Sequence, residues 1–283
     1  MSTTVSLHLL RVGACRHLER MADRGGRFKT VDFPALCGLI KHPTQGWMLY
    51  DTGYAEHFFS ATQTWPERLY RALPVHLAPS ELLSHQLAQH GIGVADVGTV
   101  IVSHYHADHI AGLRDFPNAR FLALAADTSA LMALQGHRWR ATFKGQLHGL
   151  LPADFLSRLC EVDRLPLFTL PNWMSPFRQG FDLLGDQSLI GVPLPGHSHG
   201  QLGLWLPDAD GRSAFLVADA CWSLPACRAG RLPSRLTTFV GANGKRYQDT
   251  FFGLQTLALR EPALSLLPSH CQHAWQAFRH AEH

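Results

Sequence analysis

The chain has 283 residues, of which 46% are hydrophobic and 17% charged, an ordinary globular composition with ample apolar material for a sizeable core. A formal net charge of +3, carried by scattered Lys and Arg, is too small for the basic stripe that nucleic-acid binding requires. No window approaches the roughly 18 apolar residues of a membrane span, and the opening Met1 to His8 has no basic segment leading into an apolar one. The expectation is a soluble cytoplasmic protein with no nucleic-acid partner and no membrane span.

In chain order, Val5 to Val12, Ala35 to Ile40 and Trp47 to Tyr50 are short apolar runs separated by turns, which predicts antiparallel strands opening a sheet. Between the first two lie Arg16, Arg20, Arg24, Arg27 and Lys29, only partly offset by Glu19 and Asp23. This charge run reads first as a solvated loop, with a flap facing an anionic substrate as the alternative. Further on, Pro79 to Leu83 predicts a helix start with Ser80 as its N-cap, and Gly91 sits where the helix should stop. Gly98 to Val102 is an apolar, β-branched run and reads as a strand.

Residues 128–182 are less regular. They are helix-like at 129–135 and near 153–160, with Trp139, Phe143, Phe168, Trp173, Phe177 and Phe181 in aromatic-rich turns. The expectation is a lid-like or pocket-forming insertion; in the alternative the aromatics serve a small core of their own. Three apolar runs follow, Ser188 to Leu194, Ala214 to Ala218 and Leu264 to Leu267, with a helix-like segment at 248–260 stopped by Glu261-Pro262.

The 18 histidines matter through their arrangement. In His104-Tyr-His106-Ala-Asp108-His109, four side chains able to bind a metal fall in six residues directly after the Gly98 strand. Alternate positions face one way while the chain is extended, and the adjacent Asp-His pair can face a second centre as the chain turns. Gly196-His197, Asp219 and Ser269-His270 each follow one of the later apolar runs. Imidazole nitrogen and carboxylate oxygen are the donors that zinc takes, and there are enough of them for two ions.

These motifs, in this order, resemble those of the metallo-β-lactamase superfamily, and Asp51-Thr-Gly53 resembles its early strand-end motif. The resemblance covers about residues 35 to 271. It implies an α+β fold, a four-layer αββα sandwich with the metals at one end of the two sheets, and a single domain over 1–283. It also implies two zinc ions per chain, with iron, manganese or cobalt as substitutes. His104, His106 and His197 would bind the first and Asp108, His109 and His270 the second, with Asp219 bridging them. Asp51 would orient the cluster from behind, the alternative being a turn cap.

Such a pair of dications lowers the pKa of a bridging water and so supplies hydroxide near neutral pH, which makes Asp219 and Asp108 the expected catalytic carboxylates. Within the superfamily, the segment from Ala35 through Lys41-His-Pro to Asp51-Thr-Gly-Tyr54, and Ser103 to Gly112, resemble the quorum-quenching lactonase branch, whose members open N-acyl homoserine lactones. The implied partner is a small lactone or ester, and a homodimer is compatible. That branch carries Tyr three residues after the bridging Asp, where this chain has Trp222, which can donate one hydrogen bond but cannot act as a phenolic acid. Trp222 and His199 are therefore substrate-pocket candidates, while His199 and His273 also read as surface histidines and Cys221 as a packed thiol. Other readings are a glyoxalase II-like thioesterase, a phosphodiesterase, an iron-dependent sulfur dioxygenase and a metal-retaining binding protein without turnover.

Overall fold

A computed structural model describes residues 3–234 and 242–280. The opening runs form β1 (Ser6–Leu18), β2 (Thr30–His42) and β3 (Gly46–Tyr50), joined as antiparallel neighbours. With β4 (Val75–His76), β5 (Val97–Ile101), β6 (Arg120–Ala123) and β7 (Leu159–Glu161) they make a seven-stranded sheet in the order β4-β1-β2-β3-β5-β6-β7. A second sheet of six runs β13-β12-β11-β10-β9-β8, from β8 (Leu167–Thr169), β9 (Gln179–Asp182), β10 (Ile190–Pro193), β11 (Leu202–Ala209), β12 (Arg212–Ala218) and β13 (Ser265–Pro268).

Strand alternation sorts the apolar residues into layers. Leu39 and Leu49 pack on one face of the first sheet with Phe58, Leu87, Leu131 and Phe155 from the helices outside it. Ile40, Met48 and Tyr50, one position along, pack on the other face with Val192, Leu204 and Leu216 of the second sheet. The same core continues to Tyr247, Phe251, Leu254 and Leu257 of the helix Gly244–Arg260 and to Phe278 of the helix Gln272–His280. The result is helix, sheet, sheet, helix, the αββα sandwich. Bonds between the sheets include one from the buried Tyr50 hydroxyl to the Leu202 carbonyl at 2.7 Å and one from the Leu202 amide to the Ser103 carbonyl at 2.8 Å.

Several local expectations shift. Ser80 caps nothing: Pro79–Glu81 is a single 3-10 turn, in which the Glu81 carboxylate accepts from the Ala78 amide, and the helix proper is Leu83–Gln89. Gly91 does end it, with φ +70. The charged run 16–29 is no free loop. β1 extends to Leu18, Asp23 pairs with Arg231 at 2.8 Å, and the Arg24 guanidinium donates to the Pro233 carbonyl, so the segment is fastened to the chain that follows Asp219.

Region 128–182 divides by position. Helices Ala125–Met132 and Arg138–Phe143 come first; from Leu159 the chain supplies β7, then crosses to build β8 and β9. Its later aromatics face the core, Trp173 against Trp205 and Phe177 against Phe215, while Trp139 and Phe143 stay exposed.

Candidate metal centre and its two cavities

The fold brings the seven side chains together because their strands end at one edge. β3 and β5 run parallel in the first sheet and β12 and β13 parallel in the second, with β10 aligned to β12 through antiparallel β11. The residues just past the C-terminal ends of these strands are Asp51, His104, His197, Asp219 and His270. The short helix Ala107–Ile110 then turns Asp108 and His109 back toward the same point.

There the potential donor atoms form two groups, each spanning no more than 4.8 Å: His104, His106, His197 and Asp219 in one, Asp108, His109 and His270 in the other. Asp219 lies between them, 3.2 Å from Nε2 of His197 and 3.2 Å from Nε2 of both His109 and His270. Asp108 Oδ2 is 3.3 Å from His270 Nε2. His104 Nε2 is buried with no hydrogen-bond partner among the described residues, and His109 Nε2 and Asp219 Oδ1, buried 3.2 Å apart, meet without hydrogen-bond geometry. Orphaned polar atoms of this kind are rare in a folded interior and call for an explanation such as an ion.

The far sides of the rings are held. Asp51 accepts from the Ser103 amide at 2.8 Å and the Ser103 hydroxyl at 2.7 Å, and its Oδ2 lies 2.8 Å from His109 Nδ1. The Ser103 hydroxyl is 3.0 Å from His104 Nδ1, and the Pro34 carbonyl accepts from His270 Nδ1 at 2.8 Å. His106 sits against Gly145, whose φ is +74 and where a Cβ would meet the imidazole edge. Backbone geometry serves the same end: Asp51 at φ +60 and Ala218 at φ +46 occupy the left-handed region, turning Asp51 and Asp219 inward.

Charge separates the rings. Burial holds His104 well below its ordinary pKa and His197 down to about 3, and it lowers His106 as well. Burial also opposes charge on His109 and His270, but Asp108 and Asp219 outweigh it at both, with Asp51 adding at His109, and both are raised. Asp219 is kept well below the usual carboxylate range: burial works against this, and His270, His109 and His197 overcome it.

Sequence reasoning missed Asp127. It is 3% exposed on the helix Ala125–Met132, and its carboxylate accepts from the Ser198 hydroxyl and from the Gly200 and Gln201 amides at 2.7–3.0 Å, which pins the loop carrying His197. Its sequence signal, a single acid just ahead of the helix-like stretch at 129–135, is too common to single it out. Tyr247 was missed too; a Cβ on Gly196 would overlap its backbone, and its hydroxyl is buried without a partner among the described residues.

Two cavities flank the cluster. One of about 770 Å³, on the His270 side, is lined by Trp222, Phe33, Val31 and Pro225 together with charged residues including Arg16, Lys29, Asp32 and Arg231. The Trp222 ring is 4.9 Å from that of His270, and its Nε1 is buried without an acceptor among the described residues. The other, about 450 Å³, opens at His106 and His197 and is lined by Ala130, Ala133, Leu134 and Phe143, with His199 exposed at its rim. A larger hollow of about 950 Å³ near Arg138 and His148 contains none of the seven side chains. His273 is exposed, and Cys221 is buried beside Cys227, whose thiol, together with burial, pushes the Cys221 pKa well up, as expected of a packed thiol.

The sequence profile of the metallo-beta-lactamase superfamily matches residues 30–211. The chain belongs to that superfamily. Among curated relatives, it is 28% identical over 218 residues to N-acyl homoserine lactonase AiiB of Agrobacterium fabrum, covering 72% of this chain and 71% of that one. It is 26% identical over 287 residues to N-acyl homoserine lactonase AttM of Azorhizobium caulinodans, covering 99% and 98%. Among solved structures, this superfamily member matches a B. thuringiensis AiiA variant with N-decanoyl-L-homoserine bound at its active site, with TM-score 0.70, 17% identity and 98% and 97% coverage. It also matches AidC, a dizinc quorum-quenching lactonase, with TM-score 0.63, 16% identity and 96% and 90% coverage. At such identities the structural matches bear on the fold.

Proposed function

We propose that this protein is a binuclear, zinc-dependent hydrolase that opens a lactone or cleaves a related carboxylic ester, with an N-acyl homoserine lactone as the favoured substrate. One observation carries the reading: seven imidazole and carboxylate side chains converge in two adjoining groups, and His104 Nε2 at their centre is buried without a partner among the described residues. This donor set, all nitrogen and oxygen, suits zinc. His104, His106 and His197 would hold one ion and Asp108, His109 and His270 the other, with Asp219 between. Bound there, two dications would supply hydroxide near neutral pH and polarise the scissile carbonyl.

The chain's own residues do the rest. Asp219, 2% exposed, fixes the spacing of the two groups, while the Asp108 side chain, 15% exposed, is the carboxylate that can take up a proton and pass it to solvent. Asp51 and Ser103 hold His104 and His109 in the tautomers that present Nε2 inward. The Trp222 N–H, which has no acceptor among the described residues, is the candidate donor to the substrate's carbonyl or leaving oxygen, and it would donate without transferring its proton. The lactonase names of the two curated relatives support the choice of substrate.

The test is metal content of the purified protein, followed on the same sample by rates for short- and long-chain homoserine lactones, an aryl ester and an acyl thioester. About two zincs per chain with lactone preference is the expected result. Iron with no hydrolysis points to redox chemistry, thioester preference to a glyoxalase II-like enzyme, and absence of metal overturns the reading.

A further inference from the structure

We infer that Tyr70 is a positioning residue of the metal centre: by donating to the Gly145 carbonyl, its hydroxyl holds in place the turn that sets the direction of the His106 ring. This rests on the binuclear reading and adds the support of a ligand other than those that Asp51, Ser103 and Pro34 hold. The two nitrogens of His106 face different ways. Its Nδ1 lies 3.0 Å from Nε2 of His197, within the first group of donors, so the Nε2 edge points away from it. That edge meets Gly145, where an added Cβ would come within 2.7 Å of Cδ2 and 3.0 Å of Nε2. The carbonyl of Lys144, one residue earlier, lies near enough to favour a proton on the ring. An imidazole that offers Nδ1 to a metal depends on the contact at its other nitrogen for its tautomer and its orientation.

The turn follows from the local sequence. Helix Arg138–Phe143 closes with the Gln146 amide donating to the Ala141 carbonyl at 2.9 Å and the Gly145 amide to the Thr142 carbonyl at 3.0 Å, with Gly145 at φ +74. This is the paired closure that a glycine after a helix permits. A helix of six residues has little stiffness of its own, so the turn needs a tie from outside. Tyr70 supplies it across 75 positions of chain, at 3.1 Å. It stands on the 3-10 helix Glu67–Ala72, and its ring packs edge-on against Phe58 at 5.9 Å in the core outside the first sheet, which gives the hydroxyl a fixed base. A Cβ on Gly145 would also come within 2.9 Å of that hydroxyl, so no side chain fits between phenol and imidazole. The same two helices are joined farther out by Glu67 and Arg138 at 2.6 Å, but the Arg138 side chain is 58% exposed and such surface pairs contribute little. The inner bond sets the turn.

The experiment compares Tyr70→Phe and Glu67→Ala with the wild type, as full-length chains, by chelator competition, by the visible spectrum of the cobalt(II)-loaded protein, by kcat and KM, and by thermal melting. Tyr70→Phe should release one of its two ions roughly tenfold more readily, change the cobalt spectrum, and lower kcat with KM little altered. Glu67→Ala should leave affinity and spectrum as in the wild type. Wild-type affinity and spectrum in Tyr70→Phe overturn the assignment even where its Tm falls, because the bond is then structural alone; so does an equal change in Glu67→Ala, which signals general loosening. If the wild type takes up both ions yet hydrolyses no lactone or ester, the hydrolase reading falls, and affinity and spectrum still decide for or against Tyr70. A wild type that takes up no metal overturns both.

Discussion

Asp51 Oδ2 lies 2.8 Å from Nδ1 of His109, a contact that spans 58 positions of chain with both side chains about 1% exposed. The same carboxylate accepts from the Ser103 amide and hydroxyl, so one side chain orients two inward-facing rings, His109 directly and His104 through Ser103. Asp51→Ala should therefore weaken metal binding roughly 10- to 100-fold in a chelator-competition titration. Asp51→Asn, which tolerates the left-handed φ and keeps a polar partner, should retain the fold and lose less. Wild-type affinity in Asp51→Ala would show that the bond has no orienting role.

Metal uptake should release protons. Without a metal, Asp108 and Asp219 hold His109 and His270 above their ordinary pKa, so both carry protons that a metal must displace, whereas buried His104, His106 and His197 are already neutral. Raised pKa values place the proton loss at higher pH, so apparent affinity should climb as pH rises through about 6.5 and beyond. Calorimetry in buffers of different ionisation enthalpy counts the protons; a flat affinity across that interval with none released contradicts the charge assignment.

Asp127 should act on stability first and on the site through it. Asp127→Ala removes the acceptor of the Ser198 hydroxyl and of the Gly200 and Gln201 amides in a buried loop, leaving donors unmatched. The loss should be about 2–3 kcal/mol, read as a Tm lower by roughly 4–8 °C, with reduced occupancy of the His197 ion. Asp127→Asn should recover part of both. A Tm unchanged in Asp127→Ala would mean that the loop is fixed by other contacts.

Tyr247 offers a prediction of the opposite sign. Its ring packs in the core, but its hydroxyl is buried and unpartnered among the described residues, and burial drives its pKa well up. Tyr247→Phe keeps the ring and removes the unmet polar group, so the protein should gain about 1 kcal/mol and melt some 2 °C higher. A lower Tm would reveal a partner for the hydroxyl.

Most of the centre was legible in the sequence. His104, His106, Asp108 and His109 are crowded into six residues, and His197, Asp219 and His270 each close an apolar run. Those signals are local, because a strand that carries a ligand just past its end must stop abruptly. The runs Ala35 to Ile40 and Trp47 to Tyr50 likewise marked strands in advance, but, being apolar throughout, not which residues face which layer.

Other features needed the tertiary structure, because they depend on which segments lie side by side. Asp127 and the loop it holds are over 70 residues apart, and the Pro34 carbonyl that fixes His270 is 236 positions away. The charged run 16–29 looked like a solvated loop until the Asp23–Arg231 pair, 208 positions apart, made it a cleft wall. Composition could not divide the aromatics of 128–182 between core and cavity, since Trp173 and Phe143 are equally apolar and differ only in having Trp205 or open space beside them. The amino-acid order fixes the chemistry each strand end can present; chain reversal and sheet stacking decide which of those groups meet, and which stand over open space where a substrate can enter.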